Sequence, residues 1–190
     1  MFTWRVSKQS IFDEIQSLFE TAKAKEYLGE DITLIEHMVQ CGDLAKLNRA
    51  PDWLVVAALL HDLGHILIPD AQEAQDAGSD RHHDEVGASW LAQRFPSNVV
   101  QAVKLHVDAK KYLVATNPEY FEKLSDSSKK TLGIQGGAFS AKECEEFLRQ
   151  DFANEAIQLR IWDDAAKVRG MSDASLDRFR HEIQKVASQG

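Results

Sequence analysis

The middle of the sequence contains a short stretch, residues 59–65 (Leu-Leu-His-Asp-Leu-Gly-His), in which an apolar run ends at a histidine next to an aspartate. Imidazole and carboxylate groups bind Zn, Fe and Mn in proteins, and a buried helix is a rigid element from which to direct them. An isolated His-Asp pair can also cap the end of a helix and the turn after it. By itself, the stretch leaves both interpretations of His61 and Asp62 open.

Further metal-competent side chains lie on or at the ends of apolar helical patterns. Together with the central pair, they form the set His37, His61, Asp62, His83, His106 and Asp163. A mononuclear catalytic zinc site needs about three protein ligands and a water, so this set is too large for one such ion. It favours two metal ions bridged by Asp62, and its nitrogen and oxygen donors suit Fe, Mn, Co or Zn. Considered alone, His37 on an apolar helix face is more often a hydrogen-bonded core residue than a ligand.

The order of these residues resembles the H...HD...D signature of the HD superfamily, most of whose members are metal-dependent phosphohydrolases. Within that superfamily, the chain is similar to the HD-domain mixed-valent diiron oxygenases, in their phosphonate-cleaving branch. The likeness extends over about residues 27–163 and is carried by five motifs: Tyr-Leu-Gly-Glu from Tyr27, His-Asp-Leu-Gly-His from His61, His-x-x-Val-Gly-Ala from His83, His-x-x-x-Lys from His106 and Arg-x-Trp-Asp from Arg160. It implies that His83, not His82, is the ligand. His65 stands where many relatives have lysine, and this favours the phosphonate branch.

The resemblance also implies roles for residues outside the metal set. Tyr27 and Glu30 would form a gate, in which the tyrosine occupies a metal position without substrate and withdraws when substrate binds. A phosphonate carries roughly two negative charges and needs several convergent donors. The residues that match the substrate-binding positions are His65, Lys110, Ser128, Thr131 and Arg160. We add Asp108 as a candidate partner for a substrate ammonium group.

The activity implied by the resemblance is oxidative cleavage of a carbon–phosphorus bond in a small organophosphonate, a 1-hydroxy-2-(trimethylammonio or amino)ethylphosphonate. The cofactors would be two Fe ions in the mixed-valent Fe(II)/Fe(III) state, with O2 as co-substrate. The products would be inorganic phosphate and glycine betaine or glycine, and Asp108 gives a small preference for the trimethylated substrate. The alternative is an HD phosphohydrolase that acts on a nucleotide or phosphate monoester without oxygen. A noncatalytic sensor would tolerate loss of ligands, and none of the six is missing.

Length and composition restrict the class of protein. A chain of 190 residues suits a single domain, with a core over about 27–165 and terminal helices packed on it. The net charge of -8 argues against nucleic acid or acidic lipid as a partner. The N-terminus lacks a signal-peptide profile, and no run approaches about 18 apolar residues. The two cysteines, Cys41 and Cys144, are far apart, and we expect a cytoplasmic protein with no membrane partner.

Helical periodicity without β alternation predicts an all-α fold, an HD-type helical bundle around residues 30–165. The predicted helices cover 10–25, a segment from 31 marked by apolar residues to 39, 51–60, 86 to about 96, 99–110, 119–124, 140–150, 154–163 and 172–186. Four residues are predicted to cap helices: Ser10, Asp31, Ser140 and Asn154. From Tyr112 onward we expect an irregular segment, and at 135–137 a loop with unusual backbone angles. The polar segment 70–81 predicts a surface loop, with a lid over the site as the alternative.

Overall fold

The computed structural model of the protein describes residues 10–22, 27, 30–69, 79, 81–171 and 173–187, and these contain no β-strand. The prediction of an all-α fold is confirmed. The helices, in chain order, are α1 (Ile11–Ala22), α2 (Leu34–Leu47), α3 (Asp52–Leu60), α4 (Leu63–Leu67), α5 (His83–Leu91), α6 (Ser97–Thr116), α7 (Pro118–Lys123), α8 (Asp126–Ile134), α9 (Ala141–Leu148), α10 (Ala153–Ala165) and α11 (Arg180–Ala187). A 3₁₀ turn, Asp177–Phe179, precedes α11.

Helix α3 lies inside the protein and organises the helices around it. Its residues 54–60 are all buried, as expected for a helix that is apolar on every face. Helices α2, α6 and α11 pack against it, and α10 contacts it as well. The end of α3 therefore delivers the next two residues, His61 and Asp62, into an interior from which water is largely excluded.

The start of α2 differs from the prediction because Thr33, not Asp31, is the N-cap. The Glu36 N–H donates to Thr33 Oγ1 at 3.2 Å, and the Thr33 N–H donates to the Glu36 carboxylate at 2.8 Å. This reciprocal box needs an acidic or amide residue three positions after the cap. Asp31 is followed at that spacing by Leu34, and it forms a surface ion pair with Arg169 instead.

The start of α10 also differs, since Phe152 occupies the N-cap and the predicted cap Asn154 lies within the helix. Phe152 adopts a left-handed conformation with φ of 66°. Its ring contacts the Trp53 ring edge to face, with centroids 5.6 Å apart. Packing between distant segments thus outweighs the local capping preference of asparagine.

Several other boundaries test the sequence interpretation. The caps at Ser10 and Ser140 are confirmed, and Gly136 and Gly137 have the positive φ values expected of the loop. The short helix predicted at 119–124 is confirmed as α7, but the irregular segment expected around it is wrong, because α6 continues to Thr116 and α8 spans Asp126–Ile134.

The last helix begins after the 3₁₀ turn rather than at Ser172, which is outside the described residues. Most of the segment predicted as a surface loop or lid also lies outside the described residues. Within 70–81, only Ser79 and Arg81 are described. No described helix has the length and apolar character needed to cross a membrane.

Candidate metal centre

Six side chains predicted as metal ligands converge from separate helices. They are His37 in α2, His61 directly after α3, Asp62 directly before α4, His83 at the start of α5, His106 in α6 and Asp163 in α10. All are buried except His83, whose side chain is 12% exposed. Because four of them come from packed helices and His61 and Asp62 form the two-residue turn between α3 and α4, the arrangement is rigid.

The first cluster is formed around the Nε2 atom of His37. This atom lies 3.1 Å from His61 Nε2, 3.5 Å from Asp62 Oδ2 and 3.4 Å from Asp163 Oδ1. His61 Nε2 is in turn 3.4 Å from Asp62 Oδ2. Such separations suit donors that surround one ion at the roughly 2.0–2.2 Å typical of nitrogen and oxygen ligands.

The second cluster uses the other oxygen of the same aspartate. His83 Nε2 lies 3.2 Å from His106 Nε2 and 3.5 Å from Asp62 Oδ1, and His106 Nε2 lies 3.7 Å from that oxygen. Asp62 therefore presents one carboxylate oxygen to each cluster. This is the arrangement that a carboxylate bridge between two ions requires.

Backbone carbonyls fix the orientation of three of the imidazoles. Nδ1 of His37 donates to the Ala166 carbonyl at 2.9 Å and Nδ1 of His61 to the Ala58 carbonyl at 2.8 Å. Nδ1 of His106 donates to its own helix, at the Val103 carbonyl. Since a carbonyl can only accept, the proton is on Nδ1 and the lone pair is on Nε2. Each of these rings thus turns a lone pair towards the cluster.

In their neutral form, these rings and two carboxylate oxygens turn only hydrogen-bond acceptors towards one another. Asp62 Oδ2 and Asp163 Oδ1 are buried and have no hydrogen-bond partner among the described residues. Buried acceptors without partners are costly, and converging acceptors also repel each other. A metal cation at each cluster satisfies them, so the residues present fit a metal centre with nitrogen and oxygen ligands.

The ionisation of three of the ligands, His37, His106 and Asp163, also suits metal binding. Burial lowers the pKa of His37 and of His106 to about 4, so both rings are neutral near pH 7. His61 differs: burial opposes its charge too, but the Asp62 carboxylate raises the pKa of His61 well above its ordinary value, so a proton competes with a metal cation for its Nε2. Asp163 is also buried, yet Arg160 and the histidines hold its pKa below the ordinary range.

A pocket opens beside the two clusters and is lined on one side by basic and hydroxyl side chains. Five of the predicted substrate-binding residues line it: His65, Lys110, Ser128, Thr131 and Arg160. Lys110 Nζ donates to Thr131 Oγ1 at 3.0 Å. The His65 ring stacks on the His83 ring with centroids 4.0 Å apart, which places it next to the second cluster. The pocket thus offers several donors to an anion near the metal ligands.

Arg160 connects this pocket with the first cluster. Its Nη1 lies 2.7 Å from Asp163 Oδ2, which directs the other oxygen of that carboxylate towards His37. The same guanidinium contacts Asp164 and lies 3.3 Å from the Tyr120 hydroxyl, and Tyr120 donates to Asp164. Arg160 is therefore held on three sides while it lines the pocket.

The two residues predicted to form a gate lie at the edge of the first cluster. The Tyr27 ring is buried and stacks on the His37 ring, with centroids 4.0 Å apart and planes inclined by 14°. Burial and the nearby Asp62 and Asp163 carboxylates raise the pKa of its phenol well above the ordinary value. Glu30 lines the same pocket and accepts a hydrogen bond from Lys167 at 2.8 Å.

Asp108 is the one predicted substrate-binding residue that the structure does not bring to this pocket. It pairs with Lys111 at 3.2 Å and lines a separate surface depression. His106 and Lys110 are four residues apart on α6 and share a face, whereas Asp108 lies halfway between them on the other side of the helix. The structure therefore places Asp108 away from the other five predicted substrate-binding residues.

Sequence reasoning missed four residues that complete the site: Tyr120, Ser125, Asp164 and Lys167. Asp164 follows Asp163 and lies four residues after Arg160, a spacing that could have revealed the pair. Lys167 follows the end of α10, where the chain direction cannot be inferred from helical periodicity.

Comparisons with known proteins agree with this geometry. The HD domain family model matches residues 19–164. A [1-hydroxy-2-(trimethylamino)ethyl]phosphonate dioxygenase (glycine-betaine-forming) of Leisingera caerulea is 37% identical over 182 residues, which cover 96% of this chain and 93% of the relative. A hydroxymethylphosphonate dioxygenase of Gimesia maris is 37% identical over 175 residues, 90% of this chain and 87% of the relative. An uncharacterized protein of Acanthamoeba polyphaga mimivirus is 33% identical over 178 residues, 92% of this chain and 81% of the relative.

Proposed function

The chain belongs to the HD-domain family, in the group that contains phosphonate dioxygenases, and from this membership we propose that it cleaves the carbon–phosphorus bond of a 1-hydroxyphosphonate with O2. In the balanced reaction, a substrate R–CH(OH)–PO3H2 and one O2 give the acid R–COOH and inorganic phosphate. The candidate substrates are the two 1-hydroxy-2-(trimethylammonio or amino)ethylphosphonates indicated by the sequence and hydroxymethylphosphonate, after which one relative is named.

The observation that carries this proposal is the pair of clusters that share Asp62 beside an anion-binding pocket. We propose two iron ions as the cofactors, one held by His37, His61, Asp62 and Asp163 and the other by Asp62, His83 and His106. Iron in a mixed-valent pair supplies the one-electron chemistry that activates O2.

The chain's own residues bind and orient the phosphonate. Lys110 and Arg160 supply buried positive charge, and Ser128 and Thr131 supply hydroxyl groups that can turn towards its oxygens. Because these groups come from three packed helices, α6, α8 and α10, they hold the substrate carbon at a fixed distance from the metal ligands.

Tyr27 lies over the first cluster in the structure. In the proposed cycle, it leaves this position when substrate enters and thereby limits reaction of O2 at an empty site. Both cysteines are free, which suits the reducing cytoplasm that we propose as the location of the enzyme.

The decisive experiment supplies iron-loaded protein with the three candidate substrates and measures phosphate release and O2 consumption together. We expect one O2 consumed per phosphate released and no phosphate under strict anaerobiosis. Asp62→Asn should abolish both signals, whereas Asp108→Asn, a matched change outside the pocket, should leave them unchanged. Oxygen-independent phosphate release from nucleotides or phosphate monoesters would contradict the proposal and support an HD phosphohydrolase.

A further inference from the structure

Lys167 lies in the wall of the pocket after the end of α10, between the gate residue Glu30 and the proposed phosphonate ligand Ser128. We infer that Lys167 is a specificity-determining residue that selects against a cationic group on the substrate, so that the preferred 1-hydroxyphosphonate carries an uncharged group at C1. The inference rests on the proposed function and narrows its substrate class.

The ammonium of Lys167 is fixed by three partners on this wall. Its Nζ lies 2.8 Å from Glu30 Oε1 and 3.0 Å from the hydroxyl oxygens of both Ser125 and Ser128. Its side chain is 15% exposed, so the charge is partly withdrawn from solvent. Ser128 is also a proposed phosphonate ligand, which places Lys167 at the junction between the phosphonate site and the gate.

A substrate ammonium group would need a carboxylate partner in the pocket. Among the described residues that line it, the carboxylates are Glu30, Asp62 and Asp163. Asp62 and Asp163 belong to the metal clusters, and Asp163 is also paired with Arg160. Of these described carboxylates, Glu30 alone remains, and its negative charge is already compensated by Lys167.

A trimethylammonium group could instead be bound by aromatic faces. Tyr27 is the aromatic side chain among the described lining residues. His37 stacks on its ring at 4.0 Å, and the Lys167 ammonium lies over the ring at 5.8 Å from the centroid. The ring therefore already has a cation beside it, and a second cation there would meet like charge at short range.

The remaining charged groups of the pocket strengthen this argument. Arg81 and Lys110 also line it and form no ion pair with a described residue, whereas the charge of Arg160 is already paired with Asp163 and Asp164. Such a pocket attracts a phosphonate and repels a substrate that adds its own positive charge. Hydroxymethylphosphonate, with hydrogen as the second substituent, meets no such repulsion.

The test compares kcat/KM for phosphate release from hydroxymethylphosphonate and from the two amine-bearing substrates. For the native enzyme, we expect hydroxymethylphosphonate to be favoured at least tenfold. Lys167→Met should reduce this preference at least tenfold, because Glu30 becomes available to an ammonium group. Lys142→Met, which changes an exposed lysine on α9 paired with Glu146, should leave the preference unchanged.

Glu30→Gln provides a second variant with an opposite prediction. It leaves the Lys167 charge uncompensated, so the preference for hydroxymethylphosphonate should increase beyond the native value. This variant carries the test if circular dichroism shows that Lys167→Met does not fold. A native preference for an amine-bearing substrate, or a preference that neither variant alters, would overturn the inference.

Anaerobic calorimetry with metal-loaded protein separates this inference from the proposed function. Tighter binding of hydroxymethylphosphonate than of the trimethylammonio compound, reversed or reduced by Lys167→Met, supports the inference even if no phosphate is released. Equal binding of the two by native protein overturns it, whether or not turnover confirms the oxygenase.

Discussion

Gly64 and His83 are in such close contact that a Cβ atom on residue 64 would lie 1.9 Å from the His83 carbonyl oxygen. The contact is with backbone, so no side-chain rotation can relieve it. Gly64 is in α4, two residues after Asp62, and His83 is the first residue of α5. The absence of a side chain at residue 64 thus allows α5 to begin directly against α4, with His83 beside the shared carboxylate.

Replacing Gly64 with alanine should therefore damage the second cluster more than the first. The start of α5 must move away, which separates His83 from Asp62 and His106. We expect metal content to fall from about two ions per chain to about one, with loss of the proposed activity. Elemental analysis of protein loaded anaerobically with iron measures this.

Gly133→Ala is the matched control, because nothing lies within 4 Å of a Cβ built there. Gly133 is within α8, so this change should raise the free energy of unfolding by up to about 1 kcal/mol through helix propensity. A Gly64→Ala protein that folds and retains both ions would show that the contact does not position His83.

Removing the shared carboxylate should have a larger effect than removing one imidazole. Asp62 offers an oxygen to both clusters, so Asp62→Ala should leave well under one ion per chain. His106→Ala should leave about one, because the first cluster then keeps all four of its ligands, including Asp62. Retention of two ions by Asp62→Ala, measured by elemental analysis, would contradict the bridging arrangement.

Residue type and helical spacing were enough to predict the candidate site residues that lie on one face of a single helix. His106 and Lys110 illustrate this, since four residues on a helix put both side chains on one face, towards the pocket. Asp108 was predicted to contact substrate, although the same helical spacing places it on the opposite face of α6. Lys167 could not be found at all, because its position depends on how the chain turns after α10 and meets Glu30.

Helix boundaries show the same limit. Residues 54–60 are buried, as their apolar character on every face of the helix requires. At Phe152, the helix begins in a left-handed conformation that is held by contact with Trp53, about a hundred residues away in the chain. Periodicity within one segment carries no information about such a contact.

Tyr120 should act as a positioning residue for Arg160. Its hydroxyl contacts both Asp164 and Arg160, and Tyr120→Phe removes these hydrogen bonds while it keeps the ring. A hydrogen bond contributes about 0.5–1.5 kcal/mol net, so its loss should raise KM for the phosphonate about two- to tenfold and change kcat less. Steady-state kinetics of phosphate release measure this split.

Tyr112→Phe is the control for that variant, since Tyr112 packs on Phe147 in a separate apolar cluster. It should leave KM unchanged. An equal effect of the two changes would assign the loss to general destabilisation, and a fall in kcat alone for Tyr120→Phe would contradict a role in holding the phosphonate-binding guanidinium.

The pH dependence of kcat/KM should report the ionisation of Lys110. Burial, together with the nearby Arg160 charge, lowers the pKa of Lys110 from 10.5 to about 7. The side chain is therefore cationic below about pH 7 and loses its charge as the pH rises through that value. Because kcat/KM reflects the free enzyme, it should fall above about pH 7, approaching tenfold per pH unit if the charge is essential.

Lys110→Arg keeps a cation over the whole pH range and should remove this fall. Ionisation of the substrate is common to both enzymes, so it cancels in the ratio of the two profiles. A ratio that stays constant between pH 6 and 9 would show that Lys110 does not titrate in this range.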